Sequence, residues 1–127
     1  MELAIQKISI ICFLTIGLSH TFQHRAWAEF FIALRQQGTP GSCLDAFLNL
    51  WSGALIVAFH NVWSGIPLVL TLLGWACCLK GLLYFVFPQV GLKMLARVSL
   101  ERSREFIVPG ILMVVYACLL TYSVYCR

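Results

Sequence analysis

The chain has 127 residues, of which 61% are hydrophobic and 11% charged, at a mean hydropathy of +0.88; soluble domains carry ~45–50% apolar and ~25% charged residues. A chain this short cannot hide so much apolar surface in a water-soluble core, so the composition excludes an ordinary soluble domain and points to lipid as the solvent. The net charge of +4 sits between apolar blocks, where the positive-inside rule accounts for it, and nucleic acid is not expected as a partner.

The first apolar block, 8–18, is preceded by 3–5 and interrupted by Lys7, which can snorkel to an interface; it predicts a span over 3–19. Lys7, the apolar core and Ala26-Trp27-Ala28 follow in the order of a secretory leader. The interval 18–28, with His20, His24 and Arg25, is too long and polar for a cleavage region, so a retained helix is expected. Next comes an amphipathic stretch over 20–37. On a helical wheel Phe22, Ala26, Trp27, Phe30, Phe31, Ala33 and Leu34 oppose His24, Arg25, Glu29, Arg35 and Gln36. Such a helix lies in the headgroup layer and covers one end of a bundle, and Gly38-Thr39-Pro40-Gly41 turns the chain back into the membrane.

The second span, 44–60, carries Asp45 and Asn49 near its start and His60 at its end. The third, 66–87, is broken only by Lys80 and closed by Pro88, which biases the preceding residue away from α geometry. A second interfacial helix is expected over about 90–105, where Lys93, Arg97, Glu101 and Glu105 recur every fourth residue as a charged stripe. Its four basic residues also suit anionic lipid. The uncharged run 107–125 is the fourth span, with Pro109 in its first turn and Tyr122 and Tyr125 at its far end. The continuous apolar runs lack the alternation of β-barrel strands. The fold predicted is therefore an all-α membrane bundle of four spans with two interfacial helices, one domain over 1–127. Arg25, Arg35, Lys93, Arg97, Arg102 and Arg104 fall in the two long connections, which should face the cytoplasm, leaving the termini and the His60–Trp63 turn outside.

Few residues suggest chemistry. Cys12, Cys43, Cys77, Cys78, Cys118 and Cys126 contain no C-x-x-C pair and read as small packing residues, with Cys126 the one exposed candidate for a disulfide. His20 and His24 have the spacing of two ligands on one helix face, but His60 belongs to the opposite end, so no metal or haem site is expected and no cofactor is implied. There is no G-x-S-x-G, H-E-x-x-H or glycine-rich phosphate loop, and no catalytic residue is assigned. Trp27, His60, Trp63, Tyr122 and Tyr125 read as interfacial anchors.

The third span is the most informative. Gly74 and Cys78, and likewise Cys77 and Gly81, are four apart, so each pair makes a small groove for close helix approach. Lys80 lies about 12 Å of helix rise before Pro88, at ~1.5 Å per residue. A charge at that depth costs a few kcal/mol unless it snorkels or finds a partner; Asp45 and Asn49, entering from the same side, are the candidate partners.

Taken together, His60-Asn61-x-Trp63, Gly74-Trp75, Lys80-Gly81 and Phe87-Pro88 resemble the pattern of small bacterial four-helix membrane proteins of uncharacterised role, over the middle third of the chain. The resemblance implies a bacterial inner-membrane location and no particular activity. Four-helix exporters of similar size usually carry a Glu inside the first span, whereas here Glu2 precedes it. The function expected is non-enzymatic: an accessory or scaffold subunit, embedded in the bilayer and packed against itself or a larger membrane complex. The alternative is a small transporter or ion-conducting oligomer using Lys80 and Asp45.

Overall fold

A computed structural model describes residues 1–126, which form α1 (Glu2–Phe22), α2 (His24–Gln36), α3 (Thr39–Phe59), α4 (Pro67–Val86), α5 (Pro88–Leu95), a 3₁₀ turn (Ser103–Phe106) and α6 (Ile107–Tyr125). No strand occurs among the described residues. Helices α1, α3, α4 and α6 are long and apolar enough to cross a membrane. At ~1.5 Å rise per residue each reaches across the ~30 Å of hydrocarbon in a bilayer.

Local chemistry sets the helix starts. Prolines stand in the first turns of α3, α4 and α5, where a missing N–H costs little. Gly38, at φ +69°, makes the turn between α2 and α3. That turn is tighter than the four-residue one expected, because α3 already begins at Thr39, five residues before position 44. Gly41 is thus inside the helix, and its missing side chain lets the Leu34 carbonyl of α2 lie directly against it. At the other end of α2, the first span runs on to Phe22 and the chain breaks only at Gln23 (φ −120°, ψ 40°).

The second interfacial helix is not the continuous element expected over 90–105. Helix α5 stops at Leu95, the chain turns through 96–102, and the 3₁₀ turn leads into α6. A contact from outside the segment holds this turn. Arg35 of α2 donates through Nη1 to the carbonyl of Val98 at 2.9 Å, and to those of Leu95 and Ala96 at 3.4 Å. The Leu95 carbonyl also accepts from the Val98 N–H at 3.1 Å, and the guanidinium, gathering the carbonyls beyond the last turn, stabilises the chain's departure from the helix. Lys93, Arg97, Glu101 and Glu105 therefore do not share one helix face.

Packing is pairwise. Helix α1 runs antiparallel to α6, with Lys7 by Tyr125, Phe13 by Tyr116 and Gly17 by Gly110. Helix α3 runs antiparallel to α4, with Ile56 by Gly74, Gly53 by Cys78 and Leu50 by Gly81. Between their ends the two pairs approach each other sparsely. At one end α2, α5 and the 3₁₀ turn form a platform joining them. At the other end lie the N-terminus and the His60–Trp63 turn, linked by Gln6 to His60 and by the Asn61 N–H to Glu2 at 3.4 Å, while the Tyr116 hydroxyl donates to the Ile66 carbonyl at 3.1 Å. The spans are only 22–28% buried within the chain, so most of their apolar surface faces outward.

Candidate functional site

Two polar clusters lie within or at the ends of the spans. The first is at the platform end of α3 and α4. Ser42 is fully buried and donates to the Pro88 carbonyl at 2.9 Å, tying α3 to α5. Gly91 packs directly on the Ser42 hydroxyl and beside the Tyr84 ring, a position where a side chain would collide. One turn along α3 from Ser42, Asp45 is 6% exposed and accepts from Asn49 Nδ2 at 3.2 Å, which also donates to the Asp45 carbonyl at 2.9 Å.

Asp45 and Asn49, each read from the sequence as a partner for Lys80, instead pair with each other, and Lys80 does not join them in an ion pair. Among the described residues the ion pairs are Arg25–Glu29 and Arg102–Glu105. The register of α3 on α4 is the reason. Gly81 lies against Leu50, so Lys80 is level with the middle of α3, and Asp45 is about a turn and a half nearer the platform, roughly 8–9 Å at ~1.5 Å per residue. Lys80 is exposed, and its ammonium lies 5.5 Å from the centroid of the Tyr84 ring, a cation–π arrangement that directs it toward the platform.

The helix-packing residues occupy the α3–α4 crossing. Gly74 and Gly81 are buried against Ile56 and Leu50, and the Cys78 backbone faces Gly53; Cys77 is half-buried. The sequence showed the α4 side of this crossing, while Gly53 on the other helix was missed. Its signal was the small pair Ser52-Gly53 within an apolar run.

The second cluster, at the opposite end, changes the role expected for His60. Rather than an interfacial anchor, His60 is fully buried between α1 and α4. The Thr71 hydroxyl has one proton and gives it to the Val62 carbonyl at 2.8 Å, so His60 Nδ1 donates to Thr71 Oγ1 at 3.0 Å. His60 Nε2 is then the acceptor for the Gln6 side-chain amide at 3.1 Å. The result is a directional chain, Gln6 to His60 to Thr71 to Val62, that holds a neutral imidazole and links three segments. Burial lowers the His60 pKa below its ordinary 6.5, opposed in part by Glu2. Gln6 and Thr71 were not singled out in the sequence, although each is an isolated polar residue in an apolar run. Trp63, Tyr122 and Tyr125 are exposed at this end, at 58%, 61% and 63%, where anchors would stand.

At the platform, His20 and His24 are on different helices. His20 donates from Nδ1 to the Ile16 carbonyl at 2.9 Å and stacks on Trp27 at 4.1 Å between centroids. Trp27 donates to Ser19 Oγ at 2.8 Å. His24 Nδ1 pairs with Ser103 Oγ at 3.1 Å, and Phe31 stacks on Phe106 at 5.7 Å. Part of the aromatic face of α2 is therefore spent on protein contacts, while Phe30 stays 39% exposed. Among the described residues no three His, Cys, Asp or Glu side chains converge as metal ligands, and all six cysteines are free thiols. No protein family, curated protein or solved structure matches the chain.

Proposed function

We propose that this chain is a non-enzymatic integral membrane subunit, a small scaffold of the bacterial inner membrane that packs against itself or a larger membrane complex. The observation that carries this reading is the division of labour between inside and outside. Among the described residues every buried side-chain nitrogen and oxygen has a hydrogen-bond partner, so the polar interior is engaged in holding helices together. Outward, α3 and α4 present large apolar side chains such as Trp51, Leu55, Trp75, Leu79 and Leu82, all 42–60% exposed. Such faces suit lipid or the helices of a partner. Extraction in mild detergent, followed by mass determination of the purified particle, tests it. A stoichiometric partner or a defined homo-oligomer is the expected result, and a monodisperse monomer across detergents overturns it.

A second reading, a small transporter or ion-conducting oligomer, is favoured by one observation: the carboxyl of Asp45 is buried within a span with Asn49 as its side-chain partner. Ion flux into proteoliposomes that disappears in Asp45→Asn would support it; identical flux through both proteins would remove it.

A further inference from the structure

The connection between α5 and α6 contains an unassigned cleft of about 350 Å³ lined by Arg97, Val98, Ser99, Arg102, Glu105, Phe106 and Pro109. It straddles the point where the charged platform gives way to the uncharged start of α6. Phe106 and Pro109 form its apolar side, and Leu112, one turn along α6 from Pro109, is 63% exposed.

Both walls are held from behind by α2. Arg35 binds the carbonyls of 95, 96 and 98, and the Phe31–Phe106 stack and the His24–Ser103 hydrogen bond fix the opposite wall. Turning those carbonyls inward leaves Arg97 exposed, and it takes part in neither of the ion pairs among the described residues. Arg102 meets Glu105 through Nε at 3.1 Å, on side chains 60% and 65% exposed, so that pair is weak and easily exchanged. The cleft thus combines two arginines, whose guanidiniums suit phosphate geometry, with the apolar side chains of Val98, Phe106 and Pro109, which suit a hydrocarbon chain.

We propose that this cleft binds one anionic glycerophospholipid, its phosphate between Arg97 and Arg102 and an acyl chain along Phe106, Pro109 and Leu112 at the start of α6. Charge complementarity argues for an anionic headgroup, and the apolar floor argues for a lipid over a soluble anion. The proposal stands apart from the choice between scaffold and transporter, since either would sit in the same bilayer.

The test uses the full chain in phosphatidylcholine nanodiscs doped with phosphatidylglycerol, with retained lipid read by native mass spectrometry. Preferential retention of phosphatidylglycerol is expected. The double variant Arg97→Gln with Arg102→Gln should reduce it by about tenfold or more, since each lost charge-assisted contact to the phosphate is worth ~1 kcal/mol or more. Glu105→Gln, which removes the cleft's carboxylate, should raise retention, a gain that misfolding cannot imitate. Lys93→Gln with Arg104→Gln, which removes as much charge from residues that do not line the cleft, should change it far less. Equal retention of the two lipids, equal loss in the two double variants, or no gain in Glu105→Gln would each overturn the site. Complete displacement of phosphatidylglycerol by inorganic phosphate would show a soluble-anion site and overturn the lipid assignment.

Discussion

Gly17 of α1 and Gly110 of α6 meet backbone to backbone: a Cβ added to Gly17 would stand 2.7 Å from the Gly110 carbonyl oxygen, and one added to Gly110 would stand 2.8 Å from that of Gly17. Neither oxygen can move without shifting its helix, so the crossing admits no side chain. Gly17→Leu or Gly110→Leu should push the pair apart near the platform and cost on the order of 1–3 kcal/mol. Thermal unfolding in detergent measures it, and a melting temperature equal to the parent's would mean that α1 and α6 do not cross here.

The Gln6–His60–Thr71 chain predicts both a mutational and a pH effect. Gln6→Leu leaves His60 Nε2 buried without a donor, a loss of about 1–3 kcal/mol. Because burial lowers the His60 pKa below 6.5, the folded protein binds fewer protons there than the unfolded chain as pH falls past that value. The stabilisation from His60 is therefore complete above pH 6.5 and declines as pH drops from 6.5 through the lowered folded pKa. Melting curves between neutral and mildly acidic pH should show this decline in the parent and lose it in His60→Gln.

Lys80 and Asp45 should couple only weakly, since they form no ion pair. With Lys80 exposed over Tyr84 and level with Leu50, Lys80→Met should change stability little, and its effect should add to that of Asp45→Asn. A double-mutant cycle is expected to give a coupling below ~1 kcal/mol. A value well above that would restore the buried ion pair.

The termini and the His60–Trp63 turn should face one side of the membrane and the platform the other. In a cysteine-free background, Ser64→Cys, at an exposed position in the turn, should react with an impermeant thiol reagent added outside. Glu101→Cys, exposed on the platform, should react only after permeabilisation. Reaction of both in intact cells would contradict a four-span arrangement.

What the sequence determined by itself is the set of elements that depend on neighbours along the chain. Four uncharged or nearly uncharged runs of span length announce four membrane helices. The aromatic and charged sides of α2 are legible from helical periodicity, and Pro88 marks the end of α4. The small pairs Gly74–Cys78 and Cys77–Gly81 were legible as close-packing grooves for the same reason. Everything that depended on a distant partner was decided by the tertiary structure. The stripe Lys93–Arg97–Glu101–Glu105 has helical spacing, yet Arg35, some sixty residues earlier, takes the carbonyls at the end of α5 and the chain turns. His60 looks like an interfacial residue until Gln6 and Thr71 are seen to bury and saturate it. Lys80 and Asp45 are both near the platform end in sequence terms, but the glycine crossing at Gly53 and Gly81 sets a register that holds them about a turn and a half apart. Helical periodicity and length act over a few residues, whereas register and polar pairing arise from backbone contacts between helices that no local pattern records.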